Sequence, residues 1–83
     1  MSYMIKTVKI TSDWTLVTSK VALLQFNDDM YMVPGNVTEP TVKVGFKMMQ
    51  NEKYINNIAG TYIWAKSIIG GSNIESVRVA EVD

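Results

Sequence analysis

The chain has no cysteine and no histidine. That removes disulfides, thiolate–zinc sites and imidazole ligands together, and with them the commonest nucleophile and general base. Arg78 is the single arginine, and eight basic side chains stand against eight acidic ones, for zero net charge. Nucleic-acid binding draws on clustered Lys and Arg that displace counterions, and here the lysines are scattered. No apolar run approaches the roughly 20 residues that span a bilayer. The start, MSYMIKTVKI, alternates polar and apolar residues instead of forming the apolar segment of a signal peptide. These absences predict a soluble chain made without a secretory signal, with no nucleic acid, membrane, metal, cofactor or small-molecule substrate as partner.

Catalytic chemistry is equally thin. Asp28-Asp29 is the one adjacent acidic pair, and neighbours on a strand point apart, so the pair reads as a solvated loop tip. Lys66-Ser67 and Ser19-Lys20 are neighbours where Ser–Lys hydrolases need spaced pairs. Gly70-Gly71 precedes a strand and no Lys follows, so it forms no phosphate cradle. The expectation is a protein that is not an enzyme.

Strand signals fill the space that these absences leave. TVKVGFKM sets Val42, Val44, Phe46 and Met48 on one face and Thr41, Lys43, Gly45 and Lys47 on the other, the period of a half-buried strand. Gly45 inside it points to a bulge or a close backbone approach. In ESVRVAEV, Val77 and Val79 oppose Arg78 and Ala80. KVALLQF and YIWAKS differ, being apolar on both faces, and such strands need cover on both sides. Asn27-Asp28-Asp29 suits a hairpin loop, Val33-Pro34-Gly35-Asn36 a type II turn with Gly35 at positive φ, and Glu39-Pro40 the start of the next strand. Gly70-Gly71-Ser72-Asn73 joins the last two strands. The one helix-like stretch, FKMMQNEKYINNIAG, lacks an N-cap.

The resulting expectation is a single all-β domain over residues 1–83, a small antiparallel β-sandwich or jelly-roll-like barrel of seven or eight short strands. A domain of this size buries roughly 60–65% of its unfolded surface. With disulfides and metals excluded, association is the reinforcement left. An 83-residue chain also has little material with which to cover two faces of several strands.

The aromatic residues leave three readings open. On YIWAKS, Tyr62, Trp64 and Lys66 share a face, which suits core, a protein interface or a stacking platform for sugars. Trp14, alternating with Leu16 in SDWTLV, reads as core. The order SDWTLV, VALLQF, YIWAKS, IESVRVAEV resembles small all-β virion proteins of tailed bacteriophages, among them capsid decoration proteins, head fibre or knob subunits and tail accessories. The Asn-rich stretch from Gln50 to Asn57 departs from that pattern, and Lys66 stands where Arg is frequent. The resemblance implies a non-enzymatic structural protein of the phage particle, synthesised in the bacterial host cytoplasm, with other virion proteins and its own copies as partners. Tyr31, Met49, Tyr62 and Trp64 are the expected interface anchors. The alternative is a glycan- or host-surface-binding module using Asp28, Asn57, Tyr62 and Trp64.

Overall fold

The computed structural model describes residues 2–68 and 76–82. Among these residues eight strands follow one another: β1 (Tyr3–Val8), β2 (Thr15–Thr18), β3 (Ala22–Phe26), β4 (Met30–Gly35), β5 (Phe46–Met48), β6 (Lys53–Asn56), β7 (Tyr62–Ser67) and β8 (Val77–Val82). They form two four-stranded sheets, ordered β1-β8-β3-β6 and β2-β7-β4-β5. Every pairing is antiparallel. The ladders are nested, first strand with last, second with seventh, third with sixth, fourth with fifth, and that nesting is the wiring of a jelly roll. The expected all-β sandwich is the fold of this chain. FKMMQNEKYINNIAG holds β5 and β6 in place of a helix.

Alternation decides which side chains meet between the sheets. Ala22, Leu24 and Phe26 of β3 and Val77 and Val79 of β8 are buried, facing Met30 and Met32 of β4 and Ile63 and Ala65 of β7. Ile10 closes the core from the β1–β2 link. On β2 the register shifts between Leu16 and Thr18, and this bulge turns two successive residues, Val17 and Thr18, inward. Burying a side chain the size of Phe26 contributes about 1.5–3 kcal/mol. Among the described residues, every buried side-chain nitrogen and oxygen has a hydrogen-bond partner. The Asn56 amide, for example, donates to the carbonyls of Lys20 (2.9 Å) and Thr61 (3.3 Å).

Several expectations about the connections are corrected. Asn27-Asp28-Asp29 is no hairpin, because β3 and β4 lie in different sheets and the segment carries the chain across. Pro34 and Gly35 belong to β4, opposite Ile63 and Tyr62, and Gly35 does not take positive φ. The β7 ladder holds them extended. β5 reaches only as far as Phe46, opposite Met32, so Pro34 lies where β4 has an open edge, which tolerates the missing N–H. TVKVGFKM is not one strand: only Phe46–Met48 pairs, and Thr41 to Gly45 leave the sheet. The joint expected at Gly70-Gly71-Ser72-Asn73 lies outside the described residues.

Candidate functional site

The outward face of the β2-β7-β4-β5 sheet is covered by the chain itself. Residues 36–45, which link β4 to β5, cross it as a strap, and the sheet holds the strap through side-chain donors. Trp64 Nε1 donates to the Asn36 carbonyl at 2.9 Å, Trp14 Nε1 to that of Val42 at 2.8 Å, and Lys66 Nζ to that of Lys43 at 2.9 Å. The Lys66 ammonium also lies 5.5 Å from the centroid of the Trp14 ring, within cation–π range. Gly45 brings the strap against β4: a Cβ there would sit 2.6 Å from Val33 Cγ2 and 2.7 Å from the Met32 carbonyl oxygen. The close approach read from Gly45 is the right one of its two readings. With carbonyls 42 and 43 taken by side chains, the segment cannot continue the β5 ladder, although its sequence alternates like a strand. Val42 and Val44 are consequently exposed. Trp14, read as core, is half-buried and serves instead as a pin for the strap.

Tyr31, Tyr62 and Trp64 share this outward face, since their neighbours Met30, Met32, Ile63 and Ala65 are the buried ones, and all three are half-buried. Met49 follows β5 in the turn to β6, exposed, with its N–H donating to Glu52 Oε1 at 2.7 Å. The four expected interface anchors are thus three on one face and one at an edge. The glycan set is dispersed. Asn57 follows Asn56, which pairs with Ala22 at one end of β3, whereas Asp28 lies beyond Phe26 at the other end. Trp64 and Tyr62 belong to the opposite sheet. One of the two loop acids has structural work: Asp29 Oδ1 accepts the Gln50 N–H at 2.9 Å.

The outward face of the β1-β8-β3-β6 sheet is different. Ile5 pairs with Ala80, Ala80 with Leu23 and Leu23 with Ile55, so one row of apolar side chains crosses all four strands. Ile5 is 71% exposed and Ile55 67%. The flanking row adds Tyr3 opposite Val82, and Val82 donates its N–H to the Val21 carbonyl at 2.9 Å. Between them lies a hollow of about 300 Å³ lined by Tyr3, Val21, Leu23, Ile55, Ala80 and Val82, together with Ala22. The row on the other side is polar: Thr7, Arg78, Gln25 and Lys53. One half of this face is greasy and the other half is charged.

A second opening lies at the edge where β5 and β6 part. Phe46 pairs with Met32 and so has inward register, yet it is 67% exposed. Met32, Pro34, Phe46, Lys47, Met48 and Tyr54 line a cleft of about 520 Å³ there. The acid of note is Glu81, at the far end of β8. Its Oε2 accepts the Thr18 hydroxyl at 2.6 Å and lies 3.2 Å from Lys6 Nζ. Burial pushes its pKa upward, but the Thr18 hydrogen bond and the hydrogen bond and charge of Lys6 outweigh burial and leave it below the ordinary 4.5. This group ties the sheets together, Thr18 from one and Glu81 from the other.

Sequence reasoning located one member of the apolar row, Leu23, through the second apolar face of KVALLQF. It missed Ile5, Ala80 and Ile55, because strand order and register assemble the row, and a single strand carries no trace of either. No protein-family model, curated protein or solved structure matches this chain.

Proposed function

We propose that this chain is a non-enzymatic structural subunit of a bacteriophage virion, placed on the capsid or tail, which assembles by burying an apolar sheet face against protein. The observation that carries the assembly reading is the Ile5–Ala80–Leu23–Ile55 row on the outward face of β1-β8-β3-β6. Contiguous exposed apolar patches on monomers rarely exceed a few hundred Å² and, when large and rimmed by polar groups, mark interaction sites. The polar rim is present here as the Thr7–Lys53 row. The virion assignment is supported by the resemblance of the strand pattern to small phage particle proteins, and the jelly roll is an architecture that capsid proteins use.

Particles produced from the genome that encodes the chain provide the test. Mass spectrometry of purified virions should find the chain in fixed ratio to the capsid protein. A Leu23→Lys variant that still gives a β-sheet circular dichroism spectrum should be lost from them. Absence of the chain from washed particles removes the virion assignment. Retention of the variant at the normal level removes the assembly face.

A further inference from the structure

We infer that the partner on this face is a second copy of the chain, packed face to face about a two-fold axis that crosses the strands. The inference rests on the assembly reading above and names its partner. The first argument is area. Tyr3, Ile5 and Ile55 are 62, 71 and 67% exposed and Leu23 is 43% exposed, and they line one continuous hollow or the row beside it. A standard interface takes about 800 Å² from each partner, and large side chains this exposed, with Val21, Ala80 and Val82 between them, offer apolar area of the same order. The second argument is closure. Among the described residues the opposite face is strapped, so one bare face remains, and a face that pairs with its own copy about a two-fold axis is used up at two subunits.

Charge selects the direction of the axis. Lys53 and Arg78 lie in one row at one end of the face. An axis parallel to the strands would lay that row on its own copy, Arg78 over the partner's Gln25 and Lys53 over the partner's Thr7, and shut all four cations into a drying interface, which is costly. An axis across the strands, passing between the Ile5–Ala80 and Tyr3–Val82 rows, sends the cationic rows to opposite ends of the dimer. In that arrangement Ile5 meets the partner's Tyr3, Ala80 meets the partner's Val82, and Leu23 lies over the partner's Val21. The larger side chains of each copy enter the 300 Å³ hollow above Ala80 of the other. A chain of zero net charge has no overall repulsion to oppose this.

Sedimentation of the purified chain should give twice the 9.3 kDa chain mass, returning to the single mass in Ile55→Lys with an unchanged circular dichroism spectrum. Ile55 is exposed on an edge strand, so lysine there is compatible with folding. Because the chain has no cysteine, single cysteines report the axis. Ala80→Cys should join two chains through a short bifunctional thiol reagent, and Gln25→Cys, in the polar row of a central strand, should not. Efficient joining through Gln25→Cys overturns the axis, and a single-mass native chain at high concentration overturns the dimer. If that monomeric chain is nonetheless incorporated into particles and Leu23→Lys is lost from them, another virion protein covers the face and only the dimer fails. A dimer absent from particles leaves the dimer standing and removes the virion assignment.

Discussion

The outward face of β2-β7-β4-β5 carries ten residues of its own chain, and among the described residues the outward face of β1-β8-β3-β6 carries none. Both sheets have four strands and both contribute one face to the same core. What separates them is where hydrogen-bond donors stand. The covered sheet presents two indole N–H groups and an ammonium, each of which needs an acceptor, and a passing backbone supplies carbonyls. The apolar half of the bare sheet presents Ile5, Ala80, Leu23 and Ile55, which have no donor to direct a local segment, and the donors of that face, Thr7, Arg78, Gln25 and Lys53, stand in a single row at its other end. Amphipathic side chains recruited the chain's own backbone, and purely apolar ones left a surface for another molecule. The lesson is that Trp and Lys on a sheet face can be the means of covering it.

Three experiments bear on that contrast, the first two read against each other. Gly45→Ala should cost about 1–3 kcal/mol by overpacking, because the added Cβ meets the backbone of Met32 as well as Val33. Ala80→Val adds comparable bulk to the bare face and should change the stability of dilute protein by less than about 0.5 kcal/mol. Urea midpoints for the two variants decide this, and equal shifts would erase the distinction between the faces. Trp64→Phe keeps an aromatic ring but removes the indole N–H and so one pin, so about 1 kcal/mol should be lost, with faster amide exchange concentrated in residues 36–45. A uniform increase across both sheets would mean that the strap is no separate unit.

The smallest effect concerns the tie between the sheets. The folded-state pKa of Glu81 lies below the ordinary 4.5, so its contribution to stability is complete above that value and is lost as pH falls through the lower folded value. Glu81→Gln should therefore flatten the acid limb of the stability curve below about pH 4.5 and leave its neutral-pH slope alone. Identical acid limbs would show that Thr18 and Lys6 do not favour the ionised carboxylate.

Much of the core was legible because β3, β7 and β8 carry their burial in local alternation. Leu24 and Phe26 point one way and Leu23 the other, whatever the neighbouring strands are. Thr41 to Gly45 misled for the same reason. Their alternation is a strand's, but a strand requires a ladder partner, and the donors that claimed carbonyls 42 and 43 stand at Trp14 and Lys66, far off in sequence. Pro34-Gly35 carried a strong turn signature that the β7 ladder overrode. Of the expected site residues, Tyr62 and Trp64 were correctly placed on one face. The strap above them could not be read, because it depends on tertiary hydrogen bonds alone.

The nested ladder has a further consequence in time. β4 pairs with β5 and β3 with β6 across modest stretches of chain, but β1 must wait for β8, and β8 is the strand that sits between β1 and β3. The centre of the first sheet is therefore made last during synthesis, with both of its neighbours already present and unpaired on one side. Closing so long a loop before its contacts form places the chain among slow-folding topologies, in the millisecond-to-second range. Until then the strand edges of β1 and β3 are open to the same edges on other nascent copies. The jelly roll thus makes the C-terminal strand a latch, and the molecule has no finished first sheet until that latch leaves the ribosome.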